Sequence, residues 1–198
     1  MSSTPARPAT GGDRSWLVCE IDGSPRVAPD PSASAGAPPA DGATPDDAAR
    51  LTALVGGVLE DHRGHAPIVV GLRFVDAAEM AELNLSHLGH EGPTDVLSFP
   101  IDGDPGAAPD PGDDADDPLP WLLGDVVICP SVAAANAPGH AGTYDDELAL
   151  LVVHGLLHLL GLDHAEVDER LAMQARERDL LDRLHGPLAR DPWSEVSP

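Results

Sequence analysis

Residues 152–164 read VVHGLLHLLGLDH, and three histidines, His154, His158 and His164, stand in this apolar run. His154 and His158 are four positions apart, so on an α-helix they project from one face, about 6 Å apart along the axis. That spacing lets two imidazoles reach one metal ion. Gly161 then ends the run. Glycine readily takes the left-handed conformation that closes a helix, and a turn there can bring His164 back to the same point. Three histidines with an open fourth position form the donor set of catalytic zinc, whereas structural sites usually fill all four positions with Cys and His. The expectation is one zinc ion per chain on His154, His158 and His164. The other histidines, His62, His65, His87, His90, His140 and His185, lack such spacing and read as surface residues.

A helix must carry the first two ligands, and the segment Tyr144 to Leu160 suits it: apolar throughout, opened by Asp145, Asp146 and Glu147 where the helix dipole favours anions. Four β-branched runs read as strands, Ser15 to Ile21, Pro67 to Val75, Asp95 to Ile101 and Leu123 to Cys129. Further helices are predicted over Asp46 to Asp61, over 77–85 capped by Asp76 with Glu79 completing a capping box, over Ser131 to Ala137, and over Glu166 to Leu184. The order β-α-β-α-β-β-α-α-α gives an α+β class, a small mixed four-stranded sheet packed against about five helices.

Composition sets limits on partners. The chain has 198 residues, enough for one domain with a sizeable core. Residues 1–14 read as a disordered lead-in, 15–185 as a single domain and 186–198 as a frayed tail. Two Pro/Gly/Asp-rich stretches, 24–45 and 102–120, read as inserted loops that offer little to bury. Cys19 and Cys129 sit in strand-like runs and read as small buried hydrophobes. No apolar run approaches a membrane span and the N-terminus has no secretory core, so a cytoplasmic protein with no membrane partner is expected, acting as a monomer. Acidic residues number 34 against 11 basic ones, all arginine, for a net charge of −23. Such a chain repels polyanions. Binding of any polyanion then needs arginines gathered at the zinc cleft, and its salt dependence should be shallow, with a log–log slope of about −1 to −3.

The histidine pattern resembles the zinc helix of metzincin peptidases, with one difference. Those enzymes place a general-base Glu directly after the first His, and here that residue is Gly155. A second resemblance is closer. HGLLHLLGLDH is similar to the motif H-G-x-L-H-L-x-G-Y/F-D-H of the bacterial YbeY-type endoribonucleases. Leu83–Asn84 followed by GPTDVLSFP (Gly92 to Pro100), and LLGDVVIC (Leu122 to Cys129), agree with the same family in the same order. The resemblance runs from about Asp46 to Leu184. It implies a metalloprotease-like zinc helix and a zinc-dependent, single-strand-specific endoribonuclease acting in small-subunit ribosomal RNA 3′-end maturation and ribosome quality control. Its implied partners are single-stranded RNA, ribosomal RNA, and the small ribosomal subunit with its basic proteins. Leu88 stands where many family members carry an Arg.

Candidate catalytic residues are Asp163, beside the third ligand, and Asp95, at a strand start; each also suits a turn or cap. Thr94, Ser98 and Arg73 are candidate substrate contacts. Two alternatives stand beside the endoribonuclease reading: a non-catalytic ribosome-assembly factor with a structural zinc, which the acidic surface favours, and, by fold-level analogy alone, a metallopeptidase.

Overall fold

A computed structural model describes residues 16–26, 44–62, 67–102 and 119–194. The lead-in 1–14, most of the loops 24–45 and 102–120, and the last four residues lie outside the described residues. The strands are β1 (Leu17–Asp22), β2 (Ile68–Phe74), β3 (Val96–Pro100) and β4 (Trp121–Ile128). The helices are α1 (Pro45–Val58), α2 (Ala77–Leu88), α3 (Pro130–Asn136), α4 (Tyr144–Leu159) and α5 (Val167–Leu184). The strands form one mixed sheet in the order β1-β2-β4-β3. β1, β2 and β4 run parallel, and β3 closes the edge antiparallel to β4, with Val96 opposite Ile128 and Pro100 opposite Gly124.

α4 organises this architecture. Thr143 caps it by accepting the Asp146 N–H, and the helix is apolar on almost every side. A helix apolar all round is stable only when it is covered all round. α4 accordingly lies on β3 and β4, with α1, α3 and α5 packed against its remaining sides. Val152, Val153 and Leu156 are fully buried. Each such side chain stabilises the fold by roughly 1.5–3 kcal/mol. A smaller cluster of Val75, Met80, Leu97, Val127 and Cys129 forms separately, with Ala77 and Leu83 of α2 packed on it. Cys19 and Cys129 are free thiols. Among the described residues, no helix is long and apolar enough to cross a membrane.

Three local expectations are corrected. Asp76 caps α2 by accepting from the Ala78 and Glu79 N–H groups, but the Glu79 carboxylate turns to Arg73, 3.1 Å away, instead of closing a capping box. Residues 186–194 are not frayed. Leu188 and Trp193 pack on the core, and backbone N–H groups of Ala189 and Arg190 donate to Asp146 and to the Ala141 carbonyl. The anchors are a buried acid at the start of α4 and a backbone carbonyl just before it, which a Pro-rich, charged tail does not advertise.

His140 and His185 are likewise not free surface groups. His140 Nδ1 lies 3.0 Å from both oxygens of Glu147, whose side chain is wholly buried. His185 Nε2 lies 2.8 Å from Asp146 Oδ1. Burial pushes the Asp146 carboxyl up, but hydrogen bonds from His185, Thr143 and Ala189 outweigh it and hold the group below its ordinary value. A carboxylate whose folded pKa lies below its unfolded value, about 3.9, stabilises the fold above that pH. The contribution is lost as pH falls through the folded value. Asp146→Asn is therefore expected to lower stability in urea at pH 7 by about 1–3 kcal/mol, with the gap to the native chain narrowing towards pH 3. Equal urea midpoints at pH 7 would contradict this.

Candidate metal centre and cleft

His154 and His158 project from one face of the last two turns of α4, with their Nε2 atoms 3.1 Å apart. The helix closes at Gly161, whose φ of 84° places it in the left-handed region. Its N–H donates to the His158 carbonyl, and the Leu162 N–H reaches back to the Leu157 carbonyl. This paired closure reverses the chain. His164 then returns to the triad, its ring centroid 5.5 Å from that of His154 and 4.9 Å from that of His158. Asp163 pins the turn by accepting the His164 N–H at 2.7 Å.

One donor atom from each of the three rings lies within 4.8 Å of the others, so the triad could hold a metal ion. Nitrogens bound to one tetrahedral zinc at about 2.0–2.1 Å lie about 3.3–3.4 Å apart. The His154–His158 pair is already close to that spacing. His164, exposed and carried on a turn, is the ring free to adjust.

The surroundings suit neutral imidazole donors. His154 Nδ1 lies 2.7 Å from Oε1 of Glu177, a buried carboxylate on α5. That bond fixes the tautomer with hydrogen on Nδ1 and turns the Nε2 lone pair to the shared point. Burial, reinforced by His154 and His164, pushes the His158 imidazole below its usual pKa. Glu177 is held in turn by the Trp193 Nε1–H, 2.8 Å from Oε2. Glu177→Gln is expected to weaken zinc affinity about 10–100-fold while leaving the fold intact. Competition with a chromophoric chelator measures this, and affinity within twofold of the native chain would contradict it.

Gly155 is required by packing. A Cβ there would lie 2.5 Å from Cγ1 of Val126 and 3.2 Å from the Ser98 hydroxyl. The helix therefore meets β4 at glycine distance. Ser98 donates to the Gly155 carbonyl at 3.0 Å, tying β3 to α4. Its hydroxyl is thus placed between sheet and helix and not in the open cleft.

Beside the triad lies a cleft of about 260 Å³, walled by Asp95, His154, His164, Arg170, Gln174 and Trp193 among others. Asp95 reaches this cleft. Its Oδ1 accepts the Val96 N–H and the Thr94 hydroxyl, and its Oδ2 accepts from Asn136. Thr94 is thereby drawn to Asp95. Arg73 is not among the cleft walls; it pairs with Glu79 and, at 3.9 Å, with Asp22. The expected gathering of arginines at the cleft is also corrected: among the described residues Arg170 alone lines it. Glu177, Trp193 and Arg170 were not singled out from sequence. The signal available was the spacing of Arg170, Met173, Gln174 and Glu177, which share one face of α5.

A protein-family model described as Endoribonuclease YbeY matches residues 44–185, which carry the triad, its closing turn and Glu177. The chain belongs to the YbeY family. Among curated YbeY endoribonucleases, that of Thermobifida fusca is 43% identical over 141 residues, covering 69% of this chain and 85% of the relative. That of Mycolicibacterium vanbaalenii is 48% identical over 114 residues, covering 57% of this chain and 60% of the relative. The match thus spans under two thirds of the latter's length. The solution structure of TM1509 from Thermotoga maritima shares the fold, with a TM-score of 0.53 at 22% identity over 85% of this chain and 90% of that one. Leu88 is the exposed last residue of α2.

Proposed function

We propose that this chain is a zinc-dependent endoribonuclease that cuts single-stranded RNA in the maturation of the small-subunit ribosomal RNA 3′ end and in ribosome quality control. The observation that carries this reading is the placement of the triad: three imidazole donors converge, and two of them, His154 and the exposed His164, line a cleft. A structural zinc would be closed by a fourth protein ligand. Among the described residues, the metal-capable group contains the three histidines alone.

His154, His158 and His164 would hold the ion, which supplies Lewis acidity and positive charge beside a scissile phosphate. The chain's own residues do the rest. Glu177 orients His154, Asp163 orients the turn that carries His164, and Asp95 presents a carboxylate edge to the cleft. RNA carries its own nucleophile in the 2′-hydroxyl. The reaction therefore proceeds without a carboxylate after the first histidine, and that position is free to be the glycine that packing demands. The 2′-oxygen bonds to phosphorus, the P–O5′ bond breaks, and the proton leaves to solvent while the 5′-oxygen gains one.

The acidic exterior of a chain with net charge −23 suits basic ribosomal proteins better than bare RNA. The small ribosomal subunit is accordingly the partner that delivers the substrate, in the cytoplasm. The test compares single-stranded RNA, the same RNA annealed to its complement, and a strand carrying 2′-deoxynucleotides. Cleavage of the first alone is expected. Equal cutting of the deoxy strand would overturn the nucleophile assignment, and equal cutting of the duplex would overturn the single-strand preference.

A further inference from the structure

Among the described residues, basic charge is almost fully compensated. Among the described arginines, Arg26, Arg50, Arg73, Arg176, Arg178 and Arg183 each face a carboxylate, and Arg190 donates to the Pro138 carbonyl. Arg170 differs. It is exposed on α5, it lines the cleft with His154 and His164, and no described carboxylate lies within ion-pair distance of it. An arginine with no described counter-charge at a cleft wall has its guanidinium available for a ligand. The planar fork of a guanidinium matches a phosphate bidentately.

The second observation lies in the same cleft. Trp193 also lines the cleft and is held there from two sides. Its Nε1–H is bonded to Glu177, and the Arg178 guanidinium lies 4.6 Å from its ring centroid. The ring is half-buried, and it belongs to a segment beyond the residues that match the family model. A fixed aromatic ring and a cation without a described counter-charge in one cleft are the combination that holds one nucleotide of an unpaired strand: phosphate on the cation, base on the ring. A base inside a duplex is stacked and cannot reach such a ring.

We infer that α5 and the C-terminal segment form a nucleotide subsite for single-stranded RNA, in which Arg170 contacts a backbone phosphate and Trp193 stacks on an unpaired base. The subsite rests on the proposed RNA cleavage in the same cleft and gives that activity its single-strand preference.

The test is binding of a fluorescein-labelled oligouridylate to metal-free full-length protein, followed by anisotropy across a salt series. Removing metal separates RNA contacts from any effect of Trp193 on Glu177 and the triad. The native chain should bind with a log–log salt slope of about −1 to −3. Arg170→Gln should weaken binding about 5–20-fold and make the slope shallower by about 1. Trp193→Leu should weaken binding about tenfold, and Trp193→Phe, which keeps a ring but not the Nε1–H, should recover most of it. Arg183→Gln makes the same charge change away from the cleft and should stay within twofold. Affinity and slope unchanged in Arg170→Gln, an equal loss in Arg183→Gln, or no binding by the native chain would each overturn the subsite. A parallel cleavage assay on metal-loaded native protein separates the two claims. Cleavage without any Arg170 dependence of binding removes the subsite alone, and Arg170-dependent binding without cleavage removes the nuclease reading alone.

Discussion

Replacing His158 with Ala is expected to abolish stoichiometric zinc binding and to reduce cleavage of single-stranded RNA by about 10³-fold or more. A bound ion contributes several kcal/mol of charge stabilisation to a phosphoryl-transfer transition state, and each 1.36 kcal/mol is about tenfold in rate. His158 is the ring nearest to both others, with centroids at 4.6 Å from His154 and 4.9 Å from His164. Its loss leaves two donors, one of them on an exposed turn. Metal content by atomic emission and turnover by gel analysis read the two effects on one sample, with circular dichroism to show that the fold survives. Zinc at one equivalent in the purified variant would remove His158 from the ligand set.

Gly155→Glu is expected to unfold the protein instead of converting it into a peptidase. The substitution restores the carboxylate that metzincins carry after the first histidine, so chemistry alone would favour a gain of function. Packing decides otherwise. Even a Cβ at this position meets a Val126 methyl at 2.5 Å, and Val126 is fully buried in the middle of β4. Overpacking of this kind costs about 1–3 kcal/mol for a methyl group, offset in part by alanine's better helix propensity, up to ~1 kcal/mol. Gly155→Ala should therefore lower the melting temperature by a few degrees at about 2–4 °C per kcal/mol. Glutamate must in addition bury a charge against the sheet, which the fold does not accommodate. A folded Gly155→Glu protein with native melting temperature would show that α4 can rise off the sheet. Casein hydrolysis by that variant would return the peptidase reading to consideration.

The parts of the fold legible in the sequence were those whose cause is local. α4 announced itself through a largely apolar segment from Tyr144 to Leu160, with acids at its start and a glycine just after it, and the structure realises that helix over Tyr144–Leu159, closed at Gly161. The four strands were visible as β-branched runs. Their lateral order was not, because placing β4 between β2 and β3 depends on pairings far apart in the chain, such as Leu72 with Val126. The triad was legible because two ligands share one helix face and the third follows a glycine turn. Glu177 was not, because it reaches His154 from a different helix 23 residues away. The same holds for the buried acids at the start of α4. Asp146 and Glu147 read only as dipole partners at the helix start, and the return of His185 and the approach of His140 show why they can be buried. The tail was misread for a related reason. Its sequence is rich in proline and charge, and its anchors on Asp146, Ala141 and Glu177 exist only once α4 and α5 are in place.

The central claim is that a single metal ion on His154, His158 and His164 makes this cleft cleave single-stranded RNA. Its most direct test is a reconstitution titration: chelator-treated protein receives zinc in fractional equivalents, and initial cleavage rates on a single-stranded RNA are measured at each step beside His154→Ala. The expected result is a rate that starts near zero, rises linearly and breaks at one zinc per chain, with His154→Ala flat throughout. Full cleavage by the chelated protein, or a titration of His154→Ala that matches the native one, would contradict the account.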